Sequence, residues 1–472
     1  MIDQTPSFIS SGFDEPVLYA PARVESLRPC NFLKIITAFT DCDRISTHMI
    51  SLQEGMRNGR FVKGIKVDII LGMTKSSLSP KKHEDICRLI GFINGMSNGF
   101  AIVVAMYFGA KDEANLKRSV ASSFLVGAVS TLLFTGISLI FIKPILNVLQ
   151  IEEELMPLAL QYICVLIVGL IFTSLYNVCA AVLRAVGDTA TPLILLIVSS
   201  FLNIGLDYLF ILGLNMGVAG AAVATVLSQG ICAAACMVRI IKRYPLLHVS
   251  RADFAYSPVV AGKIVSTGFS MALMFSLVNM GTLILQGAIN TFGPYTIVAH
   301  TAARKATMVF MVPNGIFGIA LATFSGQNYG ARKYDRIWQG TKQSIIVILI
   351  WDLCMAALSW LFGPQIISLI SASTEESVLS TGAMYIRIDT LFYFLCTSVC
   401  CIRNSLQGIG ESLMTLASSF AELMCKVLIA VFLAPRIGYT AIIICEPIAW
   451  AVMLIPLVIR WRQLRRSLKL RV

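Results

Sequence analysis

Apolar positions in this chain come in runs too long for one face of a soluble helix. Uncharged stretches at 89–110, 119–142, 155–183, 208–238, 264–303 and 306–331 all exceed the length of about 18 residues that a membrane-spanning helix needs. The pattern predicts helices over 89–108, 119–148, 157–183, 191–213, 217–241, 261–290, 298–327, 343–371, 382–403, 413–434 and 438–460, eleven spans in all. Their connections alternate in charge. "GAKDEANLKR", 184–192, "IKRYPLLHVSR", "GARKYDR", 403–412 and the tail carry most of the Lys and Arg, whereas "IEEELMP", "LGLNMG", "TFGPY" and "STEES" are neutral or acidic. The positive-inside rule puts the basic set, and with it the C-terminus, on the cytoplasmic face of a cell membrane.

Composition agrees with a polytopic protein: 56% of residues are hydrophobic and 14% charged, and mean hydropathy is +0.77, far from the roughly 25% charged content of soluble domains. The net charge of +12 sits in short loops and the tail, so nucleic acid is not an expected partner. The 13 cysteines lie mostly inside apolar runs without metal-ligand spacing and read as small packing residues. No Walker A loop, HExxH or paired-cysteine motif occurs, so neither an enzyme nor a cofactor is expected.

The chain also repeats itself. "YFGAKD" (107–112) pairs with "NYGARK" (328–333) at an offset of 221, and "VLRAVGDT" (182–189) with "SLQGIGES" (405–412) at 223. "SSFLN" (199–203) pairs with "SSFAE" (418–422) at 219, and Gly217 with Gly438 at 221. A repeat holding six spans returns to the same side of the membrane. Its copies are therefore parallel, related by an axis along the membrane normal, and two such lobes facing a cavity make a transporter plan. The expected fold class is all-α, with two parallel six-helix lobes of which the first helix is missing or disrupted. The divisions are an aberrant segment 1–88, an N-lobe 89–242, a linker 243–260, a C-lobe 261–463 and a basic tail 464–472.

The ordered set "FGAKDEANLKR", "LYNVCAAVLRAVGDTATP", "SSFLNIGLDYLFILGLNMGVAGAAVATVLSQ" and "ALATFSGQNYGARK" resembles the multidrug and toxic compound extrusion family over roughly 89–463. That family belongs to a superfamily that also holds polysaccharide and lipid flippases. The resemblance implies a twelve-helix, two-lobe antiporter that exports organic cations or other drugs in exchange for protons or sodium.

One acid stands out. Asp207 lies in an otherwise apolar span, where an ionised carboxylate costs about 2.5–3.5 kcal/mol on insertion scales. Asn203 precedes it by one turn, on the same face, while Thr225 on the next helix and Asn177 on the preceding one can add polar groups. In the branch related to DNA-damage-inducible F proteins the matching positions form an N-lobe cation or proton site, so the resemblance maps that role onto Asn177, Asn203, Asp207 and Thr225. A bland reading makes Asp207 a hydrogen-bonded helix lock. The C-lobe counterparts of Asn203 and Asp207 are Glu422 and Lys426, which can neutralise each other and read as a structural ion pair. Asp389, Gln286 and Met274 are further candidates for a cavity wall, and Asp352 and Glu446 for hydrogen-bonded groups beside it. His300 reads as a packing histidine, and "GDTATP" as a turn and helix start.

The start of the chain departs from the family. Residues 1–88 hold 22 charged side chains and no run long enough to span, although "GRFV" at 59–62 matches the turn that should follow a first helix. Glu54 stands near the place of the family's acid but has no apolar face around it. The expected partners are a cationic small molecule and the lipid bilayer, with the chain a monomer. The rival readings are a flippase of lipid-linked saccharides, which would recruit Arg304, Lys305 and Lys426 to a basic cavity, and a transport-defective or regulatory membrane protein.

Overall fold

The computed structural model describes residues 80–148, 156–254 and 257–469. Its main elements are α1 (Pro80–Gly109), α2 (Glu113–Val148), α3 (Met156–Ala185), α4 (Ala190–Asp207), α5 (Gly217–Arg243), α6 (Pro258–Ile289), α7 (Pro294–Phe310), α8 (Val312–Gly330), α9 (Tyr334–Ser371), α10 (Glu376–Leu391), α11 (Tyr393–Gly408), α12 (Leu413–Leu428) and α13 (Tyr439–Lys469). The protein is an all-α, multi-pass membrane protein. Among the described residues eight helices are long and apolar enough to cross a bilayer, or ten with α7–α8 and α10–α11 each taken as one bent span. With α1 these occupy the eleven spans read from the sequence. The expectation for 1–88 falls, up to residue 79 and including Glu54, outside the described residues; α1 itself begins at Pro80, ahead of the predicted start at 89. The basic stretch 464–472 continues α13 as far as Lys469, and its Leu468 is buried against Ile337, Trp338 and Ile409.

Three spans predicted as single helices are broken or kinked; α9 kinks at Phe362, two residues before Pro364, and the other two are bends between separate helices. The α7–α8 pair bends by 42° at Met311, and the α10–α11 pair by 51° at Phe392. Pro313 explains the first break, since it removes one ladder hydrogen bond and crowds the preceding turn. At the second, Thr390 donates its hydroxyl to the Ile386 carbonyl (2.7 Å), the back-bond that tilts helices.

The repeat is written into the backbone. Lys111 and Arg332 share a left-handed conformation (φ 56° and 57°), as do Gly187 and Gly410 (96° and 89°) and Gly217 and Gly438 (59° and 68°). α4 and α12 both end in a widened π-helical turn, Tyr208–Gly213 and Ile429–Leu433. Asp188 faces Arg239 at 3.8 Å, and its repeat mate Glu411 faces Arg460 at 2.8 Å.

The two halves meet along α1, which packs on α6 and α8. Glycine permits the contact. A Cβ on Gly109 would fall onto the Gln327 carbonyl, and one on its repeat mate Gly330 onto the Met106 carbonyl. Gly99 and Gly268 bring α1 and α6 into similar backbone contact. Gln327 Nε2 donates across the seam to the Ala185 carbonyl (2.8 Å), and Ile102, Met271 and Ala322 form an apolar cluster beside it.

Two predictions follow from these joints. Asp188 accepts from the Thr191 amide (3.0 Å) and hydroxyl (2.7 Å) and from the Tyr244 hydroxyl (2.8 Å), which ties the start of α4 to the end of α5. Burial pushes this loop carboxyl up, but the Thr191 and Tyr244 hydrogen bonds and Arg239 outweigh it and hold it below its usual range. Asp188→Ala should cost about 1–2 kcal/mol. Because the native pKa is depressed, that stabilisation is complete above an ordinary carboxylate pKa of about 4 and lost as pH falls through the native value. The Tm gap between the two proteins should therefore close on acidification; a gap that widens contradicts the assignment. For the seam, Gly330→Val should force α1 and α8 apart at a cost of about 1–3 kcal/mol. Oxidative cross-linking of cysteines placed at Ala110 and Ala331 should fall severalfold, and unchanged cross-linking would show that the seam yields easily.

Candidate functional site

α4 carries Asp207 at its last regular turn, where the helix widens, and packs chiefly against α5. Outward it offers lipid-type side chains such as Phe201, 70% exposed. Toward α5, Asn203 Nδ2 donates to Thr225 Oγ1 at 3.4 Å, a long bond, and Thr225 in turn donates to the Ala221 carbonyl (3.0 Å). One turn on, Asp207 is half-buried with its Oδ1 out of solvent and without a hydrogen-bond partner among the described residues. Tyr162 of α3 lies within electrostatic reach of it. No described cationic side chain forms a salt bridge with it.

Asn177 is placed differently. Its Nδ2 donates to Asn94 Oδ1 of α1 at 2.7 Å, and one helical repeat away Arg184 donates to Asn98 (3.3 Å). The structure thus joins Asn203 to Thr225 below the acid and hands Asn177 to α1. Asn94 escaped the sequence reading because an amide in "GFINGMSNG" signals nothing until its partner helix is known.

The C-lobe handles charge in the opposite way. Lys426 Nζ lies 2.9 Å from Glu422 Oε1 and 3.1 Å from Glu446 Oε1, and Arg304 Nη1 lies 3.5 Å from that same Glu446 atom. The expected i, i+4 pair is therefore part of a four-charge cluster joining α7, α12 and α13, with two cations against two anions. The aliphatic stem of Lys426 lies against Gly281 of α6, which leaves room for it. His300 meets the Tyr439 hydroxyl (3.0 Å) and stacks edge-on with Tyr385.

The candidate cavity residues need correction for this conformation. Asp389 is fully enclosed, beside Tyr385 and Arg304, with both carboxyl oxygens lacking partners. Met274 is 4% exposed and accepts from Gln407 Nε2. Both are enclosed by neighbouring helices and closed off from solvent. Gln286 is half-exposed but turns to Asn290 (3.0 Å). Small open space lies instead at the seam, lined by Asn98, Met271, Phe275, Thr323 and Asn404 from α1, α6, α8 and α11.

The cluster makes a testable demand. Lys426→Met would leave Glu422 and Glu446 buried with only Arg304 opposite them, and removing one partner of a buried ion pair costs about 3–5 kcal/mol. The Tm should drop sharply while exposed Lys305→Met leaves it unchanged; equal, small effects would show that the cluster is dispensable.

Comparison with known proteins adds an independent line. A model of the MatE family matches residues 88–209 and 270–432. Probable multidrug resistance protein YpnP of Bacillus subtilis is 25% identical over 343 residues, spanning 71% of this chain and 74% of that one. Probable multidrug resistance protein NorM of Thermotoga maritima is 26% identical over 337 residues, spanning 69% and 71%. Among solved structures, an outward-facing multidrug resistance MATE family transporter of the MOP superfamily superposes with a TM-score of 0.77 at 23% identity, covering 85% of this chain and 92% of that one. A MATE protein in its bent conformation gives 0.75 at 23% identity, covering 81% and 87%. At this identity the structural likeness speaks for the fold alone.

Proposed function

The chain belongs to the MatE family of membrane transporters, and on that premise we propose that it is a secondary antiporter, exporting organic cations or other drugs in exchange for protons or sodium. The relatives named for multidrug resistance support the substrate class. The observation that carries the coupling reading is Asp207: an acid inside an apolar helix, with one buried carboxyl oxygen unpartnered and no cation paired to it among the described residues. Such a group exchanges a proton or sodium ion readily, because the bound ion removes the cost of its charge. Asn203, one turn before it, and Thr225, bonded to each other, can offer polar groups to a bound ion.

Transport then proceeds by alternating access between an N-lobe (89–242) and a C-lobe (261–463) joined by 243–260. The basic connections and the C-terminus face the cytoplasm, so the glycine seam at Gly109 and Gly330 closes the cytoplasmic side of this conformer in a plasma or inner membrane. A monomer suffices for such a cycle. The flippase reading draws less support, since Arg304 and Lys426 are already occupied by Glu446 and Glu422 and Lys305 is exposed.

Ethidium efflux from proteoliposomes under an imposed proton or sodium gradient tests this reading. The wild-type chain should drive efflux with one gradient, and Asp207→Asn should reduce it to the protein-free rate while inserting normally. Gradient-driven efflux that survives in Asp207→Asn would return the acid to a structural role, and no efflux by the wild-type chain would favour a transport-defective protein.

A further inference from the structure

A second acid lies in the membrane interior, away from Asp207 and outside the four-charge cluster. Asp352 stands midway along α9, is 4% exposed, and has no hydrogen-bond partner for Oδ1. Thr397 of α11 sets its hydroxyl against Asp352 Oδ2 and, at 2.9 Å, against Asn314 Oδ1 of α8. Asn314 is itself 4% exposed, and its Nδ2 is turned toward the Asp352 carboxyl but makes no full hydrogen bond among the described residues.

Hydrogen counting makes this arrangement informative. Three oxygens stand in a row, Asp352 Oδ2, Thr397 Oγ1 and Asn314 Oδ1, and the hydroxyl supplies one hydrogen for two contacts. One contact is therefore oxygen against oxygen unless the carboxyl is protonated. With that proton the chain closes, Asp352 donating to Thr397 and Thr397 to Asn314. Turning the amide over only moves the conflict, because its oxygen would then face the carboxyl that Nδ2 faces now.

The place in the fold gives the group leverage. Asn314 lies just beyond the α7–α8 bend and Thr397 just beyond the α10–α11 bend. Trp351, next to Asp352, donates its indole N–H to the carbonyl of Phe310, the last residue of α7 (2.9 Å). One turn of α9 thus holds both broken spans at their joints.

The repeat supplies a control. The offsets of 221 and 223 carry Asp352 onto Thr131 and Thr397 onto Ser174. Those two are buried and hydrogen-bonded to each other (2.7 Å), and the N-lobe spans that correspond to the broken ones, α1 and α3, run unbroken. A neutral hydroxyl pair is enough to join these helices. The acid stands where the C-lobe spans are broken and the N-lobe spans are not.

We propose that Asp352, Thr397 and Asn314 form a proton-binding site of the C-lobe, separate from Asp207, in which protonation of the Asp352 carboxylate locks the α7–α8 and α10–α11 bends. Proton loss returns the oxygen conflict and loosens both joints. The titratable groups facing Asp352 from α11 are the thiols of Cys396, Cys400 and Cys401. From α10, Asp389 bears on Cys396, while Arg387 is spent on the Ser359 and Trp360 carbonyls. α8 brings Asn314 alone, and the charged residues Arg304 of α7 and Glu446 of α13 are engaged with each other.

Two readouts on the full chain in lipid test the site: infrared pH titration of protonated-carboxyl bands, and Trp351 fluorescence in a chain whose other four tryptophans are Phe. Asp352→Asn, which mimics the protonated carboxyl, should remove one titrating band and abolish the pH-dependent change in Trp351 fluorescence. Asp207→Asn should remove a different band and leave the Trp351 response in place. Thr397→Val, which keeps the acid and breaks the relay, should shift the Trp351 midpoint, and it serves alone if Asp352→Asn does not fold. The proposal is overturned if Trp351 shows no pH response, if the response follows Asp207 instead, or if Thr397→Val leaves the midpoint unmoved.

Discussion

The molecule depends on one close approach, the backbone-to-backbone contact of α1 and α8 at Gly109 and Gly330. Both positions face a carbonyl oxygen where a side chain should be, Gln327 for one and Met106 for the other. The two glycines are repeat mates, 221 residues apart, so a pseudo-two-fold axis runs through the contact and each half presents the same surface to the other. A self-complementary seam of small residues needs no bulky interlock. Packing of this kind holds helices together in a membrane, where no hydrophobic gradient separates protein from lipid.

Once the lobes are defined by that axis, their different treatment of charge becomes visible. The C-lobe neutralises its buried ions internally: Arg304 and Lys426 face Glu422 and Glu446 inside 3.5 Å. Burying such ions is expensive and stabilises only when every partner is present, so this cluster fixes the mutual placement of α7, α12 and α13. In the N-lobe, Asp207 has no salt-bridge partner among the described residues, and Asn203, one turn before it, bonds to the neutral Thr225. A lobe that balances its own charge is stable in one state; a lobe with an unbalanced acid depends on what binds.

How much of this was legible beforehand follows the range of the interaction. Span positions depend on runs of apolar residues and were readable, as was the repeat, because turns that need glycine or a left-handed residue recur at Gly187 and Gly410 and at Gly217 and Gly438. The break at Met311 had a visible cause in Pro313, whereas the break at Phe392 has no proline at its joint and left no local mark. Contacts between distant helices were the least legible. Nothing in the sequence joined Asn177 to Asn94, added Glu446 to the Glu422 and Lys426 pair, or buried Asp389 and Met274 under their neighbours. Those facts depend on helix rotation, which an apolar pattern nearly uniform around a helix such as α6 does not set.

Repeat mates do, however, turn a single sequence into its own comparison. Where both copies keep the same device, as with Asp188 and Arg239 against Glu411 and Arg460, the device serves the architecture that both lobes share. Where the copies differ, the device serves one lobe alone. Asn203 and Asp207 against Glu422 and Lys426 is one such difference, and Asp352 against Thr131 is another. In each case a neutral or self-neutralised group in one lobe shows what the fold requires, and the uncompensated acid in the other is what remains to be explained. Both remainders lie inside membrane-spanning helices, where a carboxylate is costly until a cation or a proton joins it.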